Sequence, residues 1–320
     1  MITVSSPGKI HLLGEHSVVY GKPAFLSAID KRLYITIKTR NKKQETRNKE
    51  GVIIHTTERH DLVWEAIKVF QKAFSIDKMP SMEINITSQI PVGSGLGSSA
   101  ALSAAMIGAL MKFVKNVWNP NRINELVYEV EKIAHGNPSG ADNTTVVFGG
   151  LVWFRREFDF LKSIWSLPIS AYKIPKFVII DSGRPMESTK EMVSKVAILY
   201  KENKGKMDEI FQDQETQTKN LLLALKTDNK EQLITSIKQG ETNLEKIGVV
   251  GDYAKKIIRD IESIGGAAKV CGAGGREKGS GVLLCYHHDL SKIKNIAEKF
   301  KVSVSPVKLG EEGIRIEKQS

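Results

Sequence analysis

Alternating apolar and polar residues mark the first part of the chain as rich in strands. Residues 33–38 and 82–87 alternate with the period of two that a half-buried strand requires, and residues 52–55 fit a short strand between them. The charged run at 40–50 contains no aromatic residue, and its composition predicts a solvated hairpin loop.

Two stretches of the same region carry apolar residues at helical spacing. The first is expected to begin with Asp61 as its cap and to bury one face, formed by Leu62, Ala66, Val69, Phe70 and Ala73. The second is expected to begin near Asn121 and to bury a stripe formed by Ile123, Leu126, Val127, Val130 and Ile133. Both patterns are typical of helices with one buried face.

The pattern changes after an apolar segment at 176–181. Long charged helical segments run from about residue 188 to residue 264. The elements expected after them are strands at 267–271 and 281–286, a helix at 290–300, and strands at 302–305 and 313–317. This change predicts an α+β protein with two mixed layers, in which a first domain (1–172) and a second domain (173–320) meet at a soft boundary.

The composition is that of an ordinary protein, with 41% hydrophobic and 26% charged residues. A chain of 320 residues can bury a core that needs no disulfide bonds for stability. The two cysteines, Cys271 and Cys285, lack metal-ligand spacing with a second pair, which favours a reducing cytoplasm. The N-terminus has no basic stretch followed by an apolar run, so no signal peptide is expected. The longest apolar stretch, 98–117, contains Lys112 and Lys115 and is expected to be a buried helix rather than a membrane span.

The chain is basic, with a formal net charge of +11 from 47 basic and 36 acidic residues. Such a charge favours contact with nucleic acid and equally favours an anionic substrate such as ATP. Because no motif that reads DNA or RNA accompanies the charge, specific binding of nucleic acid is not expected.

The strongest local signal is the glycine-rich segment at 91–97, where glycine occupies every second position from 93 to 97. Glycines permit positive φ and let the backbone approach a ligand closely. A helix beginning at Ser98 would point free N–H groups and its positive end into this loop, which suits nucleotide phosphates. A Walker A loop would need a lysine here, and a dinucleotide fingerprint would need different glycine spacing. A tight strand-to-helix turn is the alternative without function.

Other stretches hold polar residues that need an explanation. The start of the chain packs Lys9, Glu15 and His16 among apolar residues, where burial is costly unless the groups are paired or functional. In the middle, turn residues predict that Asp142 lies on a loop, with Glu131 at the end of the preceding helix. Late in the chain, a second glycine-rich turn follows a strand.

Together these stretches resemble the GHMP kinases, in the order of that family and from Pro7 to Gly281. The resemblance implies an N-terminal domain like ribosomal protein S5 that binds ATP, a ferredoxin-like C-terminal domain, and an active site in the cleft between them. It also implies transfer of the γ-phosphoryl of ATP to an alcohol, with Mg²⁺ as the cofactor. The amino-acid sequences at 14–21 and 135–150 favour mevalonate as the acceptor. The alternative acceptors are phosphomevalonate and other small alcohols. The alternative to an enzyme is a non-catalytic ligand sensor of the same fold.

The resemblance assigns roles to individual residues. Asp142 is expected to be the catalytic carboxylate with Lys9 beside it, and Glu131 and Ser99 match the positions that coordinate Mg²⁺. The residues expected to bind ATP are Pro91, Gly93, Ser94, Gly95, Leu96, Gly97, Ser98 and Ser99. The residues expected to bind the acceptor are Glu15, His16, Thr189, Gly272 and Gly274.

Two segments differ from the sequence motifs that are typical of the family. The third motif, 274–281, has inserted charged residues, and 181–187 also differs. Basic residues of these segments that could contact a phosphate on the acceptor are Arg184, Arg276 and Lys278. Helix capping by Ser188 or Thr189 would explain that pair as well as a site role would. The expected partners are ATP and mevalonate, without a membrane, and a homodimer stays open.

Overall fold

The computed structural model describes residues 1–40, 51–136, 138–158 and 160–318. The strands are β1 (Ile2–Leu13), β2 (Ala24–Thr39), β3 (Val52–His55), β4 (Met82–Ser88), β5 (Leu151–Arg156), β6 (Lys162–Leu167), β7 (Phe177–Asp181), β8 (Ala267–Val270), β9 (Val282–Tyr286), β10 (Val304–Val307) and β11 (Arg315–Ile316). The α-helices are α1 (His60–Phe74), α2 (Ser98–Lys115), α3 (Pro120–His135), α4 (Ala141–Phe148), α5 (Thr189–Glu202), α6 (Lys204–Thr227), α7 (Lys230–Lys246), α8 (Asp252–Ser263) and α9 (Leu290–Phe300). Short 3-10 helices lie at Ser17–Tyr20 and Ile169–Ala171. This is the α+β mixture that the sequence predicts.

The first sheet has the order β11-β1-β2-β4-β3, with β5 on the free part of β2 and β6 on β5. Its neighbours are antiparallel except β3 and β4, which are parallel and are joined through α1. Because β4 lies between β2 and β3, the segment that joins β2 to β3 does not link neighbouring strands. The solvated hairpin loop expected at 40–50 stays a prediction, because residues 41–50 lie outside the described residues.

The helix α2 fills the centre of the first unit. Every residue from Ala100 to Met111 is buried, and the helix contacts β1 and β2 on one side and α1 and α3 on the others. A helix that is apolar all round is stable only when neighbours cover every face. The expected buried helix is therefore confirmed. In the part of the chain that the structure describes, no helix is both long enough and apolar enough to cross a bilayer.

The second sheet has the order β10-β7-β9-β8, is antiparallel throughout, and packs against helices from α5 to α9. The chain then returns to the first sheet, where β11 pairs with β1 through Val4 and Ile316. The cavity described below lies where the two sheet units meet. The division of the chain at residue 172 stays a prediction, and β11 is a later strand that belongs to the first sheet.

Two details of the helices differ from expectation. The N-cap of α1 is Arg59, whose side chain makes no capping hydrogen bond, and Asp61 lies in the first turn instead. A carboxylate in a first turn still interacts favourably with the helix dipole. In α3, Ile133 is 56% exposed, so the buried stripe ends before it.

Candidate active site

A cavity of about 860 Å³ opens between the first sheet, the glycine loop, α4 and the loops of the second unit. The predicted residues that line it are Lys9, Glu15, His16, Gly93, Gly95, Gly97, Ser98, Ser99, Glu131, Asp142, Thr189, Gly272 and Gly274. The remaining three, Pro91, Ser94 and Leu96, belong to the loop but do not line the cavity. The Ser94 hydroxyl donates to the Pro91 carbonyl at 2.7 Å, and Leu96 is fully buried, so these residues shape the loop.

The glycine loop needs its glycines for both conformation and space. Gly93, Gly95 and Gly97 have φ values of 73°, 83° and 76°, in the left-handed region. A Cβ on Gly95 would lie 2.4 Å from the carbonyl oxygen of Cys271, and a Cβ on Gly97 would lie 2.7 Å from Lys9 Cγ. The helix α2 begins directly after the loop, so its free N–H groups face the cavity, as an anion site requires.

Lys9 and Asp142 form an ion pair at the base of this cavity. Lys9 Nζ lies 3.1 Å from Asp142 Oδ2, and it also donates to the carbonyl of Gly95 at 3.3 Å. The Lys9 side chain is 3% exposed and that of Asp142 is 38% exposed, so the carboxylate is the more accessible member of the pair. The predicted pairing is therefore found, and Lys9 connects it to the glycine loop.

Asp142 lies in the first turn of α4 rather than on a loop, which corrects the expectation. Gly140, at φ 93°, is the N-cap that turns the chain into the helix, and the hydroxyl of Thr144 donates back to its carbonyl at 2.7 Å. Burial alone would raise the pKa of the Asp142 carboxyl. The Lys9 ammonium and the neighbouring His11 outweigh burial and hold this pKa well below its usual range.

His11 is a residue of the site that the sequence analysis missed. Its Nε2 lies 3.4 Å from Asp142 Oδ1, and its side chain is 9% exposed. The signal was present in the sequence, because residues two apart on a strand share a face and His11 follows Lys9 by two positions on β1.

Ser99 and Glu131 meet beside the N-terminus of α2. The Ser99 hydroxyl donates to Glu131 Oε1 at 2.9 Å, and Glu131 is 4% exposed. Burial raises the pKa of Glu131 to about 7, and the Ser99 hydrogen bond offsets that rise in part. A hydroxyl and a carboxylate this close can share one hard cation, whose charge would favour the ionised carboxylate.

Glu15 and His16 also line the cavity. Glu15 Oε1 is held in a buried ion pair by Lys269 of β8. His16 has a φ of 57°, and its Nε2 lies 3.1 Å from the carbonyl oxygen of Ala273. Burial lowers the pKa of His16, which favours the neutral ring. Contact of these two residues with an acceptor stays a prediction.

Thr189 is the first residue of α5, and Ser188 is its N-cap. The Ser188 hydroxyl accepts from the Glu191 N–H at 3.2 Å, which completes a capping box with the Glu191 side chain. Ser188 therefore meets the capping requirement by itself. The hydroxyl of Thr189 is left for the cavity that this residue lines.

The second glycine turn closes against the first. A Cβ on Gly272 would lie 3.0 Å from the Cα of Gly95, and a Cβ on Gly274 would lie 2.1 Å from the carbonyl oxygen of Val249. Of the three basic residues in the divergent segments, only Arg184 lines the cavity, next to Gly93. In the charged insertion, the Arg276 N–H donates to Glu187 at 3.3 Å, and Arg276 and Lys278 are not among the lining residues.

A buried cluster of charges lies behind Glu15. Lys269 is fully buried and donates to Glu15, to the His11 carbonyl at 3.2 Å and to the Val270 carbonyl at 2.7 Å. Glu241 of α7, also fully buried, accepts from the Val270 N–H at 2.9 Å. Burial raises the pKa of Glu241 to about 8. The sequence analysis missed both Lys269 and Glu241.

The raised pKa of Glu241 predicts a stability that falls as pH rises. Below about pH 4.5 the folded and unfolded chains both carry the proton, and between about pH 5 and pH 8 only the folded chain keeps it. The contribution of Glu241 to the free energy of unfolding is therefore lost over that interval, at a rate on the order of 1 kcal/mol per pH unit. Urea unfolding at several pH values should show this slope in the unmodified protein and a flatter one in Glu241→Gln.

The control for that experiment is Glu231→Gln, which changes an exposed carboxylate on the same helix, α7. Its unfolding curves should follow those of the unmodified protein at each pH. Equal slopes in all three proteins would contradict the assignment of a raised pKa to Glu241.

Comparison with known proteins gives the site its context. A family model described as the GHMP kinases N terminal domain matches residues 61–150. A curated mevalonate kinase from Archaeoglobus fulgidus is 35% identical over 85% of this chain and 88% of that protein. The mevalonate kinase of Pyrococcus abyssi is 30% identical over 99% of this chain and 98% of that protein. The solved structure of the Methanococcus jannaschii mevalonate kinase is 25% identical, with a TM-score of 0.76 over 97% of this chain and 98% of that one.

The chain therefore belongs to the GHMP kinase family, as its glycine loop and mixed fold indicated. Within that family, the two relatives at 35% and 30% identity are mevalonate kinases.

Proposed function

We propose that this protein is a mevalonate kinase, which transfers the γ-phosphoryl of ATP to the 5-hydroxyl of mevalonate. The observation that carries the proposal is the Lys9–Asp142 pair, whose atoms lie 3.1 Å apart in a cavity that the glycine loop also lines. The mevalonate kinases at 30% and 35% identity support the choice of acceptor.

The triphosphate of ATP is expected to lie on the glycine loop, at the N-terminus of α2. Positive φ at Gly93, Gly95 and Gly97 leaves the backbone N–H groups free of Cβ crowding, so they can approach phosphate oxygens. Ser99 and Glu131 fit a Mg²⁺ ion, because a hydroxyl and one carboxylate oxygen lie 2.9 Å apart and Mg²⁺ takes its other ligands from phosphates and water. When bound, Mg²⁺ would neutralise charge on the phosphates.

The transfer itself needs only an activated hydroxyl and stabilised charge. The acceptor oxygen forms a bond to the γ-phosphorus while the bond from that phosphorus to the bridging oxygen of ADP breaks. Asp142, held ionised by Lys9, accepts the hydrogen bond of the hydroxyl and takes its proton, which then passes to water. The ammonium of Lys9 lowers the pKa of that hydroxyl and stabilises charge on the transferring group.

The basic residues of the divergent segments do not favour an acceptor with a phosphate of its own, although Lys190, next to Thr189, also lines the cavity. An acceptor phosphate would need basic residues on the side away from ATP. Arg184 packs over Gly93 of the glycine loop, with its Nε 3.1 Å from where a Cβ would be, so its charge serves the ATP side. The other candidates, Arg276 and Lys278, are not among the residues that line the cavity.

The first test is an assay of ADP release with MgATP and four acceptors: mevalonate, phosphomevalonate, homoserine and galactose. Mevalonate is expected to give a kcat/KM at least about a hundredfold above the others, since a site built for a substrate's polar groups rejects analogues that leave them unpaired. Faster turnover of phosphomevalonate would overturn the proposal and would give Arg184 a role in acceptor binding.

Two further expectations remain as predictions. The residues 1–172 are expected to act as the ATP-binding domain and 173–320 as the second domain. Assembly as a homodimer is the other, and light scattering on the purified chain measures it directly.

A further inference from the structure

A second side chain of the cavity, that of His11, faces Asp142, and the proposed mechanism of transfer gives it no role. Lys9 Nζ approaches Oδ2 at 3.1 Å, while His11 Nε2 approaches the other oxygen, Oδ1, at 3.4 Å. The two oxygens of one carboxylate thus face two neighbouring side chains of β1. A carboxylate with only one partner can rotate about its terminal torsion, which is a soft one.

His11 is built into the wall of the site. Its side chain is 9% exposed, it lines the cavity, and its carbonyl oxygen accepts from the buried Lys269 at 3.2 Å. Lys269 is in turn paired with Glu15. The backbone of His11 is therefore fixed by a buried charge, and its ring is fixed by burial.

The hydrogen-bonding pattern of His11 indicates which ring nitrogen carries the proton. Nε2 faces a carboxylate oxygen, which can only accept, so Nε2 is the donor. Among the described residues, both ring nitrogens are buried and neither makes a fully formed hydrogen bond, so the polar contact of the ring is the approach of Nε2 to Asp142 Oδ1 at 3.4 Å. The Nε2···Oδ1 distance of 3.4 Å is longer than a well-formed N–H···O bond, and such contacts often shorten in the reacting complex.

We infer that His11 is a positioning residue for phosphoryl transfer: its Nε2–H holds Oδ1 of Asp142 so that the carboxylate meets the acceptor hydroxyl in one orientation. Lys9 ties the same carboxylate to the ATP loop through Gly95, whereas His11 ties it to the buried Lys269. One of the two contacts on Asp142 thus does not pass through the glycine loop. This inference rests on the proposed kinase function, and it assigns no direct contact of His11 with substrate.

The experiment compares His11→Leu, which removes the donor, with His11→Gln, whose amide N–H can still reach Asp142. His11→Leu is expected to lower kcat by about 10- to 100-fold while the KM values for acceptor and ATP change less than about threefold. His11→Gln is expected to recover most of that loss. His60→Leu, at an exposed histidine of α1, is the matched control and should retain full kcat.

A double-mutant comparison separates positioning from general loss of structure. When Asp142→Asn is already present, adding His11→Leu should lower the residual kcat less than about threefold, because the two residues act as one unit. The same loss in both backgrounds, an equal loss in His11→Gln, or a kcat for His11→Leu within threefold of the unmodified protein would each overturn the inference.

A measurement without turnover keeps the inference testable if the acceptor assignment fails. In protein labelled with ¹⁵N-histidine, NMR should show the His11 ring protonated at Nε2, with a shift of its signals in Asp142→Ala. A His11 ring protonated at Nδ1 alone, or signals unmoved in Asp142→Ala, would refute the contact whatever alcohol the enzyme phosphorylates. If none of the four acceptors is phosphorylated but the spectra are as expected, the assignment of the acceptor is wrong and the contact between His11 and Asp142 still holds.

Discussion

Asp142→Asn is expected to lower kcat for phosphorylation of mevalonate by about a thousandfold or more, while the Kd for ATP changes less than about fivefold. The substitution keeps the shape of the side chain but removes the charge that pairs with Lys9 at 3.1 Å. The acceptor hydroxyl then loses the group that orients it and takes its proton. The glycine loop keeps its conformation, because its left-handed backbone does not depend on Asp142. Single-turnover kinetics and calorimetric titration with ATP measure the two quantities separately.

The matched control is Asp252→Asn. Asp252 also lies in the first turn of a helix, α8, but its side chain is 91% exposed and faces water. Its substitution should leave kcat unchanged, which separates loss of a catalytic carboxylate from loss of a charge at a helix start. Near-normal turnover in Asp142→Asn would remove Asp142 from the catalytic role.

The parts of the site that the sequence predicted are those whose chemistry is local. Alternating glycines at 93, 95 and 97 require a special backbone, and the apolar stretch after them has to be a buried helix. Both conclusions follow from neighbouring residues alone. The pairing of Lys9 with Asp142 did not follow in this way, and it was available only because the motifs resembled those of a known family.

The parts that were missed depend on the order of strands and on burial. Strand order is one such feature, because β2 and β3 follow each other in sequence, yet β4 lies between them in the sheet. Lys269 and Glu241 have the residue types of surface positions. Only the packing of β8 against α7 and the hydrogen bond from Lys269 to the His11 carbonyl show that both are buried. His11 could have been inferred from the sequence, because it lies two positions after Lys9 on β1 and therefore on the same face of that strand.

Lys269→Met is expected to have the largest effect on stability, lowering the free energy of unfolding by about 3–5 kcal/mol. Burial alone would lower the pKa of Lys269, but the Glu15 carboxylate outweighs it and raises that pKa, so the pair is charged on both sides. Removing the ammonium leaves the carboxylate of Glu15 buried, with a side chain only 1% exposed and without its counter-charge. It also removes the donor to the carbonyl of His11.

Urea unfolding measures this loss, and two further variants define its origin. Adding Glu15→Gln to Lys269→Met should restore part of the stability, because the uncompensated charge is then gone. Lys299→Met breaks a surface pair with Asp260, in which the lysine is 67% exposed, and should cost no more than about 1 kcal/mol.

A loss below about 1 kcal/mol in Lys269→Met would mean that the pair contributes no more than a surface one. A large loss that Glu15→Gln does not relieve would place the effect in the backbone contacts of Lys269. Relief by Glu15→Gln would show that the loss comes from the uncompensated charge of Glu15, which Lys269 of β8 neutralises in the unmodified protein.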